Sequence, residues 1–184
     1  MGFDKRTIQR IRVPLGFAFA VVFGIFARPT AVSLAVGGAV AVVGLLIRAW
    51  ASGHIHKARE LAVSGPYAYT RNPLYLGSLI LGVGFTVAAG VWWLALLFCL
   101  LFLGIYFPVM RVESEDMRNI FGGEFTEYEQ NVPLIFPRLG AWNKRSANFD
   151  FQLYWQYREY RAAVGTLIAI GALAAKAYFV TQTL

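Results

Sequence analysis

A single cysteine, Cys99, excludes an internal disulfide, and its place inside an apolar run makes it a packing residue. Histidine is almost as scarce. His54 and His56 stand two apart near the end of an apolar stretch, with no second ligand pair to complete a metal motif, so they read as interfacial polar residues and no metal is expected. No Ser-His-Asp arrangement is legible, and the glycine-rich stretches lie inside apolar runs, where a phosphate-cradling loop does not belong. Charge is thin too: only 15% of the 184 residues are Asp, Glu, Lys or Arg, below the usual share of a soluble domain. From Asn72 to Met110 there is none at all.

What is present in quantity is apolar: 58% of the chain is hydrophobic. Apolar stretches lie at 13–27, 31–51, 74–88, 91–110 and 162–180. The uncharged run between Arg71 and Arg111 as one helix would measure on the order of 55 Å at ~1.5 Å per residue, far more than the ~30 Å of a bilayer's hydrocarbon core. It must fold back, and the segment Gly84–Gly90 is where glycine permits it. The length suits a single domain over residues 1–184. These features predict an all-α integral membrane protein with about five transmembrane helices. Gly37, Gly38, Gly77, Gly82 and Gly84 supply the small surfaces on which helices pack closely in lipid.

The net charge of +7 would suggest nucleic acid in a soluble protein. Here the basic residues flank apolar runs, which points to lipid headgroups and to orientation, not to nucleic acid. Four precede the first span; Arg48, Lys57, Arg59 and Arg71 surround the second connection; seven more lie between Arg111 and Arg161. Only Arg28 and Lys176 fall on the other side. The positive-inside rule therefore predicts a cytoplasmic N-terminus and an external C-terminus. The first apolar stretch follows a basic N-terminus as a signal sequence does, but Phe26-Ala27-Arg28-Pro29 is a poor cleavage site, so a retained span is expected.

Polar chemistry concentrates in two cytoplasmic segments, 52–73 and 111–137. In the first, Ser64-Gly65-Pro66 is turn chemistry, and Tyr67, Tyr69 and Tyr75 cluster with Arg71 at a membrane interface. An aromatic belt with an interfacial arginine explains that cluster in part; the order Gly-x-Tyr-x-x-x-Arg-Asn-Pro-x-Tyr-x-Gly is more specific than a belt requires. Pro73 also frees the turn before a helix, whose unpaired backbone groups can meet a ligand. In the second segment Glu113, Glu115 and Asp116 follow directly on an apolar span. Glu115 and Asp116 read as a solvated helix end. Glu113, nearest the membrane, needs a partner: a ligand ammonium or Arg111. The stretch Asn148–Arg161 alternates aromatic and polar residues, as a helix lying on the membrane surface does.

Together, Leu61-x-x-Ser-Gly-x-Tyr-x-x-x-Arg-Asn-Pro-x-Tyr-x-Gly and Glu113-x-x-x-Met-x-x-x-Phe-Gly-x-x-Phe-x-x-Tyr-x-x-x-Val-Pro resemble the isoprenylcysteine carboxyl methyltransferases and the related phospholipid N-methyltransferases. The resemblance covers about Arg48 to Pro137, with a weaker match at Arg158-Glu159-Tyr160-Arg161. It implies an S-adenosyl-L-methionine pocket facing the cytoplasm and a lipid-side route for an apolar acceptor. Carried over by position, the cofactor contacts fall on Arg59, Glu60, Leu61, Ala62, Tyr67, Asn72, Pro73, Leu74, Tyr75 and Glu113. Glu113 and Arg111 are the candidate catalytic residues, the first as proton relay for an amine acceptor, the second as holder of an anionic one. Three positions depart from the family's pattern: Asn72 stands for a histidine, Ser114 for the second of two glutamates, Phe125 for a tyrosine. The acceptor implied is a lipophilic small molecule, a carboxylate of the isoprenylcysteine kind; a phospholipid or another small lipid amine is the alternative. Two other classes compete: a non-catalytic membrane scaffold and a nicotinamide-dependent reductase, though no nicotinamide fingerprint is legible.

Overall fold

The computed structural model describes residues 5–55, 60–142 and 148–182, with side chains over 13–55, 60–142 and 148–179. The chain is an all-α integral membrane protein. In order it forms α1 (Lys5–Phe26), α2 (Ala31–Ser52), a 3-10 turn (Gly65–Ala68), α3 (Pro73–Ala88), α4 (Trp92–Phe121), α5 (Gly123–Asn131), α6 (Phe151–Gln156) and α7 (Tyr160–Gln182). Three helices, α2, α4 and α7, are long and apolar enough to cross a bilayer; Val13–Phe26 and α3 are shorter apolar helices.

Helix starts follow local chemistry. Thr30 caps α2 with a reciprocal pair: its hydroxyl accepts from the Ser33 amide, and the Ser33 hydroxyl accepts from the Thr30 amide. Pro73 occupies the first turn of α3, where its missing N–H costs nothing. The uncharged run folds back at Ala89–Val91, between α3 and α4, and Gly90 (φ 69°) makes that turn. Arg28 donates its amide to the Ala89 carbonyl at 2.7 Å and Ser33 its hydroxyl to the Ala88 carbonyl at 3.0 Å. Both interhelical turns at this end are thereby tied together. Ala27, Ala88, Ala89, Leu94 and Leu173 close it with an apolar cluster.

The closest helix contact is between α2 and α3. A Cβ on Gly44 would lie 2.6 Å from the Leu81 amide nitrogen, and one on Gly84 2.5 Å from that of Ala41. Gly37 and Gly44 on α2 oppose Gly84 and Gly77 on α3, seven residues apart on each helix. The two backbones touch, which is how helices gain dispersion energy where lipid offers no hydrophobic drive. Gly82 accepts the ring of Phe98 from α4; Gly38, by contrast, has open space around it.

At the opposite end α4 does not stop at the first charge. Thirty residues at ~1.5 Å each make about 45 Å, longer than the ~30 Å of a hydrocarbon core, and its final turns, with Glu113 and Met117, carry all of its charged residues. Gly122 (φ 56°) then reverses the chain into α5. Val63, Phe125, Tyr128 and Val132 form a second cluster there, and Ile135 packs with Phe102 and Met110 in a third.

Candidate functional site

A cavity of about 690 Å³ opens among α2, α3, α4, α5 and the segment around the 3-10 turn. That volume lies within the ~300–1,000 Å³ common for small-molecule sites. Both polar segments singled out in the sequence line it. Of the expected cofactor contacts, Glu60, Leu61, Ala62, Tyr67, Asn72 and Pro73 line it from the first segment, Leu74 and Tyr75 from the helix start that follows, and Glu113 from the second, together with Ser114, Met117, Phe121, Phe125 and Tyr128. Arg59 and His56 lie outside the described residues.

The first wall is built on the 3-10 turn. Gly65 has φ 56°, and a side chain there would collide with the ring of His54. His54 is buried, and its Nδ1 lies 2.9 Å from the Trp50 carbonyl. Because a carbonyl only accepts, Nδ1 carries the proton. The histidine thus braces the turn at the end of α2. The backbone of Tyr67 is fixed by Tyr128, whose hydroxyl donates to the Tyr67 carbonyl at 2.7 Å.

An irregular loop after α5 braces the start of α3. The Arg71 amide donates to the Pro133 carbonyl at 2.9 Å, and the Thr70 hydroxyl donates to the Ile135 carbonyl at 3.0 Å. The Asn72 side-chain amide donates to the Leu134 carbonyl at 2.9 Å. Asn72 therefore commits one of its two side-chain N–H donors to the scaffold while also lining the cavity. Arg71 and Arg118 both bind the Glu129 carboxylate of α5. Burial raises the Glu129 pKa, but the hydrogen bonds from Arg118 and Arg71 outweigh it and hold the carboxyl below its ordinary value.

The second wall is α4. The Tyr75 hydroxyl donates to Glu113 Oε1 at 2.9 Å, joining the two motifs across the cavity. Arg111, two residues earlier, is exposed, with its guanidinium 4.8 Å from the centre of the Phe107 ring. It lies outside the cavity lining. Ser114 is buried and returns its hydroxyl to the Met110 carbonyl at 2.9 Å. A glutamate in that position would bury a second charge beside Glu113. Phe125 is buried against Val63, Tyr128 and Val132 while still lining the cavity.

Two polar atoms of the lining, Tyr67 Oη and Arg71 Nε, are buried and have no hydrogen-bond partner among the described residues. Such groups cost free energy unless something completes them. Burial, followed by the charges of Tyr128, Glu159, Tyr157 and Glu113, raises the Tyr67 pKa. Its hydroxyl stays neutral and keeps its proton to donate.

Sequence reasoning named neither Arg48 nor Tyr106, Met117 or Phe121 for this site, yet all four line it. Arg48 had read as an interfacial charge ending a span. It is instead bonded to Glu159, 111 residues away, and to Ser78 on α3. No local pattern marks such a contact. A charge three to four residues before the end of a long apolar run is the one signal available.

Fold and cavity together define a membrane-embedded helical protein with a partly enclosed pocket at one end of its spans. Residues 32–124, just over half of the chain, match the phospholipid methyltransferase family, and the chain belongs to that family. It is 33% identical over 112 residues to the nickel-cobalt-cadmium resistance protein NccN of Alcaligenes xylosoxydans xylosoxydans, covering 60% of this chain and 51% of that protein. It is 36% identical over 115 residues to the cobalt-zinc-cadmium resistance protein CzcN of Cupriavidus metallidurans, covering 60% and 50%. To the protein-S-isoprenylcysteine O-methyltransferase of Schizosaccharomyces pombe it is 29% identical over 84 residues, covering 46% and 36%. The chain spans about half the length of the first two relatives. No solved structure matches it.

Proposed function

We propose that the chain is an S-adenosyl-L-methionine-dependent integral membrane methyltransferase acting on a lipophilic acceptor, with the cofactor held in the cavity between the two motifs. One observation carries the reading. The segments that resemble the methyltransferases converge on a single cavity that contains two carboxylates and two unsatisfied buried polar atoms. The residues fit the cofactor's chemistry. Glu113 and Glu60 offer negative charge to an ammonium group, Tyr67 Oη and Arg71 Nε offer donors to a carboxylate or ribose, and Tyr106, Phe121, Phe125 and Met117 offer apolar walls to a purine. When bound, S-adenosylmethionine supplies a methyl group made electrophilic by its sulfonium.

The chain's own residues then do positioning work. Tyr75 orients the Glu113 carboxylate by its hydrogen bond, and the aromatic walls exclude water. A carboxylate acceptor, as the isoprenylcysteine resemblance suggests, is already ionised and needs no base. A phospholipid amine must lose a proton, and the Tyr75–Glu113 pair is the nearest relay. Arg111, out on the surface, enters as a contact for a lipid headgroup at the interface. The charge pattern supports a cytoplasmic cavity and N-terminus. Labelling Arg28→Cys and Trp92→Cys in a Cys99→Ser background should give external access at both; labelling only from the cytoplasm reverses the orientation.

Titration calorimetry of S-adenosylmethionine, with mass spectrometry of lipids labelled from methyl-labelled cofactor, tests the reading. Saturable binding that Glu113→Gln weakens, together with one labelled lipid class, is the expected result. The names of NccN and CzcN favour a second reading, a non-catalytic membrane protein serving metal resistance. Among the described residues no group of three metal-ligating side chains occurs. Absence of cofactor binding in the parent protein would make this second reading the better one.

A further inference from the structure

Resting on the methyltransferase reading, we infer that the seam between α2 and α7 is a lateral gate for the lipid acceptor, opened when the acceptor's own oxyanion replaces Glu159 on Arg48. Four observations converge on it.

The first is the ion pair. Arg48 Nε and Nη2 lie 3.1 and 2.8 Å from Glu159 Oε2, and Nη2 also lies 2.8 Å from Oε1. Both side chains are largely buried. A bidentate pair in an apolar span is costly to desolvate, and hydrophobic residues would pack there at no such cost. The guanidinium fork that holds a glutamate holds a lipid carboxylate or phosphate by the same geometry.

The second is position. Arg48 lines the main cavity. Glu159 lines a separate apolar crevice of about 230 Å³, walled by Val42, Leu45, Leu46 and Ala49 of α2 with Tyr154 and Ala163. The pair is the partition between a space suited to a hydrocarbon chain and the space that holds the two motifs.

The third is how weakly α7 is held. Among its described side chains only Thr166 and Leu173 are buried. At the far end Lys176 donates to the carbonyls of Gly24 and Ile25 on α1. The helix is pinned at two ends and presents lipid-facing residues between them.

The fourth is the turn at the pivot. Arg158, adjacent to Glu159 in the turn between α6 and α7, has φ 56°, the one non-glycine residue with positive φ among those described. The turn is held locally: Arg158 donates its amide to the Trp155 carbonyl at 3.0 Å and Glu159 its amide to the Tyr154 carbonyl at 3.2 Å, the pair of bonds that ends a helix on a left-handed residue. Those bonds stay within the turn, so the tie from Glu159 to α2 runs through its side chain alone.

The opening can be read without turnover. Spin labels at Val43→Cys on α2 and Leu167→Cys on α7, both exposed, in a Cys99→Ser background, report the width of the seam in nanodiscs. Three lipid compositions are compared: phosphatidylcholine alone, phosphatidylcholine with phosphatidylglycerol, and phosphatidylcholine with oleate. The expected result is a population longer by ~5 Å, on the scale of a one-turn displacement, in an anionic composition only. Response to oleate alone names a carboxylate acceptor, and response to phosphatidylglycerol alone names a phosphodiester without a cation of its own, since the phosphate of phosphatidylcholine is neutralised by its choline. Glu159→Gln should show the long population in phosphatidylcholine alone, and Arg48→Gln should lose the dependence on lipid charge. Identical distributions in all three compositions, or an undiminished lipid response in Arg48→Gln, overturn the gate. Calorimetry with S-adenosylmethionine in the same nanodiscs judges the cofactor reading separately, since a missing heat of binding removes that reading and leaves the distances as they are.

Discussion

Two seams of the same helix behave in opposite ways. Along its α3 side, α2 brings backbone against backbone: Gly37, Ala41 and Gly44 meet Gly84, Leu81 and Gly77 with no room for a methyl group. Along its α7 side it offers one ion pair and an apolar crevice. The first seam excludes everything and cannot open without losing dispersion contacts over several turns. The second is held by groups that a ligand can replace. On the proposed reading the two seams have separate roles: the rigid one positions the reacting groups, and the replaceable one admits the acceptor.

The sharpest way to break this contrast is to damage the rigid seam. Gly44→Leu forces a side chain into the Leu81 backbone, and backbone cannot rotate away as a side chain can. Overpacking of this kind should cost at least ~3 kcal/mol, seen as loss of monodisperse protein or a large fall in Tm in detergent. A variant that unfolds like the parent would mean that the α2–α3 contact is not the scaffold. Next in size is Glu113→Gln, which keeps the shape and the Tyr75 contact but removes the charge. Affinity for S-adenosylmethionine should fall by about 1.5–3 kcal/mol, with Tm changed far less. Equal losses of affinity in Glu113→Gln and in solvent-exposed Glu115→Gln would show a general charge effect and remove Glu113 from the site.

How much of this could be read beforehand depends on the range of the interaction. The apolar helices and the fold-back near Gly84–Gly90 were legible because charge gaps and bilayer thickness are properties of a continuous stretch, although among the described residues only α2, α4 and α7 are long and apolar enough to cross a bilayer. The end of α4 was not. Arg111 marks where the uncharged run ends, and a helix need not stop there; Phe121 is its last residue because Gly122 turns the chain. Of the glycines expected to pack closely, Gly37, Gly77, Gly82 and Gly84 do so, while Gly38 faces open space and Gly44, unremarked in the sequence, is at the contact. At the cavity, Tyr67, Asn72, Tyr75 and Glu113 stood out through two motifs in order. Arg48–Glu159 and Asn72–Leu134 did not, because each joins residues more than sixty positions apart with no pattern between them.

Acid should loosen the wall made by α5 before it disturbs the glycine seam. The folded Glu129 carboxyl sits below its ordinary value of 4.5 because Arg118 and Arg71 favour its charged form. A depressed carboxyl contributes stability above the unfolded value, and that contribution disappears as pH falls through the folded one. Below about pH 4.5 the tie between Arg71 and α5 therefore weakens. Glu129→Gln should remove this acid-dependent component and cost about 1–2 kcal/mol at neutral pH. Hydrogen exchange of Glu124–Asn131 amides at pH 4 and 7 would show it. A pH profile identical in parent and variant assigns acid sensitivity to another group.

The smallest effect belongs to the far pin of α7. Lys176 gives its ammonium to the last free carbonyls of α1, at 2.7 Å to Gly24 and 2.9 Å to Ile25, which satisfies backbone groups at the negative end of that helix dipole. These contacts are exposed, so water or a headgroup can substitute for the ammonium. Lys176→Met should therefore cost only ~0.3–1 kcal/mol and leave the lipid-dependent seam distance between residues 43 and 167 intact. Lys176→Arg should restore the difference. If Lys176→Met were instead as damaging as Gly44→Leu, α7 would be an integral part of the bundle, and a seam that yields to a lipid would no longer describe the α2–α7 side.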